Sequence, residues 1–440
     1  MAIDPDKMRR MRAEKARQRQ QQAANRKKLF IRLAIAAVIL TLCGFLIFSM
    51  KKPESSSQKE TQPSVTETTA PEESTEPTFP VPSSETLPPE SDPTQPTGTD
   101  TIHLAFAGDL NVTDRVAASG GDSRFSDTFM DVAHLFADAD LAALNFEGNL
   151  CGEPYGTETR SAPQDMMNAL SRAGVDFIQL ANSYSIFNGT SGLRSTITGV
   201  RSAGMEPLGT YAEQKDFEAG KGYVIREVQG IRIAFTAFTK GMDGMALPEG
   251  SEHCVNVLYT DYDSAYQKVD TEGITQVLKA IEEEKPDLVV AMLHWGSEFN
   301  DTISKSQKQI VELMQANGVD AIIGSHSHYV QKIEYDQTTG KLVAYSLGDF
   351  CGDARRAGSE YSIILNIEVT RNNATGEVKI SGYSYTPTFS VVEQGKPVRV
   401  MRIKEAIEAY EGSYISRVSE GTYNKMQYAL GRIDARVHSD

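Results

Sequence analysis

Three short segments concentrate side chains able to bind metal ions. His294-Trp295-Gly296-Ser297-Glu298 ends one apolar run, Gly324-Ser325-His326-Ser327-His328 ends another, and Gly108-Asp109 ends a third. Glu147 closes a fourth. Imidazole nitrogen suits Zn, Fe, Ni or Cu, whereas carboxylate oxygen favours Mn, Mg or Ca and can bridge two ions. Asp109, Glu147, His294, His326 and His328 thus form a mixed set suited to one or two ions. A two-ion centre activates water and clamps the oxygens of a phosphate ester. Each residue alone has a plainer role. A lone histidine after a strand is usually a hydrogen-bonding residue, Asp109 can cap a turn, and Glu147 can take a backbone amide. His-x-His on a glycine-containing turn is the most specific of these signals. His253 and Cys254 are adjacent but lack partners at ligand spacing, and read as structural.

Positioning these groups requires strands that end beside one another. Residues 102–107 read as a buried strand, as do 141–145, 177–180, 287–293 and 320–323. Leu288 to Leu293 is continuously apolar, the pattern of a strand covered on both faces. Residues 223–228 and 231–238 read as a hairpin joined by Gln229-Gly230. Helical spacing occupies 125–137, 163–173, 191–203, 271–284 and 305–317. After 328 the chain turns β-rich, with strands expected at 329–335, 341–346, 361–370 and 377–385. The pattern predicts an α/β core, with the late strands forming a second sheet packed on the first. Sites in such sheets form at strand C-terminal ends. Helical spacing at 404–411 and 423–433 predicts a C-terminal helical appendage over 396–440, so the globular domain is placed at 101–395.

The N-terminal part is unlike the rest. Residues 1–32 are a basic tail, and 33–50 are an almost unbroken apolar run. As a helix that run spans about 27 Å, enough to cross a thin bilayer core. The basic flank predicts a cytoplasmic N-terminus and a domain outside the cell membrane. A cleaved signal peptide is the competing reading, but Phe45-Leu46-Ile47-Phe48 closes the run without a small-residue cleavage pattern. Residues 51–100 are rich in Pro, Ser, Thr and Glu, which predicts a disordered linker holding the domain off the membrane. A net charge of −15 argues against a nucleic-acid partner. Cys43 lies in the apolar run, and Cys151, Cys254 and Cys351 in the domain allow at most one disulfide.

The order of Phe106-Ala107-Gly108-Asp109, Leu144-Asn145-Phe146-Glu147-Gly148, Leu180-Ala181-Asn182, His294-Trp295-Gly296-Ser297-Glu298, Ile323-Gly324-Ser325-His326-Ser327-His328 and Tyr345-Ser346-Leu347-Gly348-Asp349-Phe350 resembles the CapA-type poly-gamma-glutamate capsule-synthesis proteins. The resemblance covers roughly residues 101–350. That family is similar to calcineurin-like metallophosphoesterases, which implies a four-layered α/β/β/α sandwich with metal ligands at strand ends. It implies Asp109, Glu147, His294, His326 and His328 as metal-site residues for one or two divalent ions (Mn, Fe or Zn). Glu298 and His294 would assist proton transfer, and Asn182, Tyr184 and Asp349 would face the substrate. Three positions depart from the pattern. Ser183 and Tyr184 stand where the family has a second Asn and a His, and Asp349 stands where it usually has Asn. Serine is a poor replacement ligand, and a phenol with a reference pKa of about 10 poorly replaces an imidazole acid.

Three functions follow as expectations. The first is an anchored protein of capsule or exopolymer biosynthesis, anchoring or export, partnered by an anionic surface polymer or its biosynthetic complex. The second is a metal-dependent hydrolase of phosphate esters or gamma-amide bonds. The third is a non-catalytic module binding a wall polymer. Ser183 and Tyr184 favour the first or third.

Overall fold

The computed structural model describes residues 98–354, 356–412 and 418–439, all within the unit Ser91–Asp440. The basic tail, the apolar run and all but the end of the linker lie outside the described residues. Among the described residues no helix is long and apolar enough to cross a membrane.

Two sheets form the domain. The first, seven-stranded, begins with β1 (Thr99–Asn111), β2 (Leu141–Glu147), β3 (Phe177–Gln179) and β4 (Glu206–Leu208), which run parallel in that order. The second, six-stranded, contains β5 (Tyr223–Val228), β6 (Ile231–Thr239), β7 (Leu288–His294), β8 (Ala321–Ser325), β9 (Ile333–Asp336) and β10 (Lys341–Ala344). Its β6, β7, β8 and β10 are parallel neighbours. The last strands, β11 (Tyr361–Asn372), β12 (Val378–Val391) and β13 (Arg399–Arg402), extend the first sheet antiparallel from β1.

Alternation of side chains explains the layering. Ile102, Leu104 and Phe106 of β1 point to the inner face, where they join Ile233 and Phe235 of β6 and Val290 and Met292 of β7. The rings of Phe177 and Phe235 stack across the two sheets at 4.5 Å. Ala105 and Ala107 point outward to a core built with Phe129, Phe136, Met166, Leu170, Leu193 and Ile197. On the other sheet, Val289, Ala291 and Leu293 face Ile274, Leu278, Ile310 and Met314. The outer helices of the first sheet include α1 (Asp114–Ala118), α2 (Ser126–Phe129), α3 (Ala133–Ala137), α4 (Gln164–Ala173) and α5 (Gly189–Ser202). After α6 (Gln214–Gly220), the helices α7 (Thr271–Glu283) and α8 (Lys305–Ala316) cover the second. Local signals start both: Asp270 caps α7 through Gly273 N–H, and Ser304 with Gln307 forms a capping box on α8. The resulting order is helices, sheet, sheet, helices.

Three expectations change. The late strands do not form a separate second sheet, because β11 completes the first by pairing with β1 from Ala107↔Ile364 to Thr99↔Asn372. The helix expected at 125–137 is two short helices. Asp131, between them, has its carboxylate held by Arg399 at 2.6 Å and its carbonyl by Arg402. The strand expected at 329–335 is confined to β9, since the chain from His328 must first leave the turn that carries the histidines. The C-terminal helices α9 (Ile403–Glu411) and α10 (Glu420–Val437) are packed into the fold. Ile403, Met426, Ile433 and Val437 are buried in the same core as the inner sheet faces. All three domain cysteines are free thiols.

Candidate metal centre

The ends of β1, β2, β7 and β8 converge on one buried polar site. A β-bulge at Ala107/Asp109 shifts the register of β1 against β2 and re-aims Asp109. Gly108 permits it: a Cβ there would lie 1.9 Å from Gly348 O. His326 and His328 follow β8 on a turn in which both have positive φ, 86° and 58°. Non-glycine residues rarely adopt that backbone, and such strain concentrates at functional sites. Asp109 helps hold the turn by accepting His326 N–H at 3.0 Å.

The structure gathers the acids and imidazoles into two groups. Glu147, His294 and His326 form one, and Asp109, His328 and Asp349 the other. Within each, the potential ligand atoms lie within 4.8 Å of one another. All six residues are buried. Asn145 links the groups, its amide nitrogen lying 2.7 Å from Asp109 Oδ1 and 3.3 Å from His294 Nδ1. Asn182 in turn donates to Asn145 Oδ1 at 3.0 Å and to the carbonyl of Phe146 at 2.7 Å. Asp349 accepts from Asn111 and pairs with His328 Nδ1 at 2.7 Å.

Electrostatics set the protonation of the site. Burial alone would discharge His328, but the charges of Asp349 and Glu147 prevail and push its pKa up to about 12. Burial first, then His326, His328 and Lys240, hold His294 well below the usual imidazole range. Burial pushes Asp109 up to about 6, against the pull of His328. Three buried carboxylates facing three buried imidazoles are expensive to leave without compensating positive charge. The oxygen and nitrogen donors suit a hard or borderline divalent ion. The residues present therefore fit one or two such ions.

The remaining expected residues lie around this centre. Glu298 is exposed, with Oε1 3.5 Å from His328 Nε2. Ser183 Oγ is 3.1 Å from His294 Nε2, so the departing serine occupies the site as a hydrogen-bonding group. Tyr184 is buried under the guanidinium of Arg160, whose Cζ is 4.2 Å from the ring centroid. Sequence reasoning missed Asn145, Ser325 and Lys240. Ser325 Oγ is 3.1 Å from His294 Nδ1. Lys240 donates to Gly296 O at 2.9 Å, and burial lowers its pKa. A polar residue inside an apolar strand, as in Leu144-Asn145-Phe146, is the signal that could have found Asn145.

A profile of the bacterial capsule synthesis protein PGA_cap family matches residues 103–354, and the chain belongs to that family. The chain is 28% identical to the capsule biosynthesis protein CapA of Bacillus anthracis over 54% of its own length and 56% of that protein's. It thus spans little more than half of that relative. It is 23% identical to the PGA biosynthesis protein CapA of Bacillus subtilis, over 64% of this chain and 71% of that one. Among solved structures, a calcineurin-like phosphoesterase, YfkN of Bacillus subtilis, aligns with a TM-score of 0.39 at 14% identity, over 76% of this chain and 98% of that one. A novel phosphatase from Mycoplasma pneumoniae aligns with a TM-score of 0.42 at 14% identity, covering 66% and 94% of the two chains.

Proposed function

We propose that this chain serves the assembly of an anionic capsule or exopolymer of the poly-gamma-glutamate type at the cell surface. Residues 33–50 anchor it, residues 51–100 act as a spacer, and the domain works outside the membrane. The observation that carries the reading is the burial of Asp109, Glu147, His294, His326, His328 and Asp349 at adjoining strand ends, in a chain of a capsule-synthesis family. Those residues would hold one or two divalent ions. Bound there, the ions would supply positive charge to polarise and fix an oxyanion of the polymer or its precursor. Asn145 and Asn182 orient the ligands, and Glu298 lies exposed beside His328.

Hydrolysis of a phosphate ester or gamma-amide is the second reading. The shared contact of Asn145 with both groups favours it, because it brings two candidate ion positions side by side. Ser183 and Tyr184 weigh against it, since neither supplies the imidazole acid that the resemblance would place there. The test is made in the cell that carries the chain. Deleting it should remove or shorten the surface polymer. The parent chain should restore the polymer, and an equally abundant His326→Ala/His328→Ala chain should not. Full restoration by the double variant would overturn the proposal.

A further inference from the structure

Two arginines flank the candidate centre, one beside each group of ligands. Arg356 is exposed and lays its guanidinium over Phe299, with Cζ 4.6 Å from the ring centroid. Phe299 stacks in turn on His328, centroid to centroid 5.0 Å at 29°. On the other side, Arg160 covers Tyr184, the residue after the serine that contacts His294. Arg160 Nη1 donates to Val112 O, and Val112 N–H donates to the carbonyl of Glu147. Both arginines are thus tied through one or two residues to opposite ligand groups.

Among the described residues neither guanidinium forms an ion pair, in a chain whose net charge is −15. A guanidinium lying over a ring can still present in-plane N–H donors and loses little freedom on meeting a planar anion, although one donor of Arg160 is already given to Val112 O. Beside Arg356 opens a groove of about 630 Å³, lined also by Arg115, Asp353, Glu360 and Lys425. Its acids are partly engaged: Asp353 faces Arg115 at 3.9 Å, and Glu360 accepts Gly358 N–H at 2.6 Å. An extended ligand lying in the groove would meet Arg356.

We propose that Arg356 and Arg160 are paired anion anchors that determine specificity. Each takes one oxyanion of a single extended ligand laid across both ligand groups. This rests on the proposed role of the centre in handling an anionic polymer, and it names the residues that read the polymer's charge. The shared chemistry is a planar or tetrahedral oxyanion, supplied either by side-chain carboxylates or by phosphate.

The test uses the full chain in detergent, loaded with Mn, with metal content checked by elemental analysis. Binding of a gamma-linked glutamate oligomer and of a phosphodiester oligomer, oligo(glycerol phosphate), is measured by calorimetry at two salt concentrations. Losing a charge-assisted contact should weaken binding about ten- to a hundredfold in Arg356→Gln and in Arg160→Gln. The salt dependence should flatten in both, while metal content stays at the parent level. Arg356→Lys should recover only part, because it restores charge without the planar fork. Weakening of the glutamate oligomer alone identifies carboxylate as the ligand, and weakening of the phosphodiester alone identifies phosphate. Parent-like binding of both probes by either Gln variant overturns the paired-anchor proposal, as does a parent that binds neither probe. Metal loss accompanying the weakening also overturns it, since the arginines would then act on the centre itself. A metal-free parent that still needs both arginines to bind would instead sink the metal centre and leave the anchors standing.

Discussion

Gly324→Ala should unfold the end of β8 and disarm the site together. A Cβ at this position would lie 1.9 Å from the backbone oxygen of Tyr345, 2.5 Å from its carbonyl carbon and 2.6 Å from Trp295 Nε1. Comfortable carbon contacts begin near 3.5 Å, so one backbone must retreat by about 1.5 Å. Neither side yields cheaply. Tyr345 O accepts the indole N–H of Trp295 at 2.9 Å, and Trp295 is fully buried. Overpacking of this kind costs about 3 kcal/mol at the upper end of its usual range. In a domain of this size that lowers the melting temperature by about 4 °C. His326 follows two residues later, and metal ligands tolerate displacements of only about 0.2 Å. Metal affinity should therefore fall at least tenfold in the folded variant. Differential scanning fluorimetry with and without Mn measures both effects. Gly382→Ala is the control: it lies within β12, and a Cβ there meets nothing within 4 Å. A Gly324→Ala chain that melts with the control and binds metal like the parent would refute the reasoning.

Other outcomes follow from the same structure. Because His328 is held protonated, with its pKa pushed up to about 12, metal uptake must displace its proton. Apparent metal affinity should rise about tenfold per pH unit between about pH 7 and 9, with one proton released in calorimetry across buffers; a flat profile would contradict this. In the metal-free chain the raised value stabilises the fold fully below the ordinary histidine range and is lost as pH rises through about 12. Metal-free Asp349→Asn should therefore melt lower than the parent at neutral pH and show a lower His328 pKa by NMR. Ile433→Ala, which empties a buried position of α10, should cost about 2–4 kcal/mol, read as a lower denaturation midpoint; a change under 1 kcal/mol would mean that α10 is not part of the core. Gly431→Ala lies on the exposed face of the same helix with open space around it, and should stabilise by about 0.5–1 kcal/mol in the same assay.

Much of the fold was legible because burial writes itself into periodicity. β7 is covered on both faces, so Leu288 to Leu293 is uniformly apolar and could not be mistaken for an amphipathic element. α7 and α8 carry their own caps, and their expected starts agree with the structure. What failed was non-local. Pairing of β11 with β1 joins residues separated by more than two hundred positions, and no local pattern encodes which sheet a late strand joins. The break between α2 and α3 depends on Arg399 and Arg402 reaching Asp131 from the far end of the chain. At the site, Asp109, Glu147, His294, His326 and His328 were legible because each follows an apolar run, and strand ends meet in space. Their division into two groups was not. It depends on the bulge at Gly108 and the left-handed turn at His326 and His328. Arg356 and Phe299 were invisible as site residues, since their closeness to His328 arises only when the loops after β7 and β10 fold over the centre.

The central claim is that the convergence of β1, β2, β7 and β8 holds divalent ions. Elemental analysis of the full chain, purified beside an otherwise identical His326→Ala/His328→Ala chain and reconstituted with Mn, Fe or Zn, tests it most directly. The account predicts one to two metal ions per parent chain and a large loss in the double variant, with both chains folded. A folded parent that retains no metal after all three reconstitutions, or a double variant that retains as much as the parent, would contradict it.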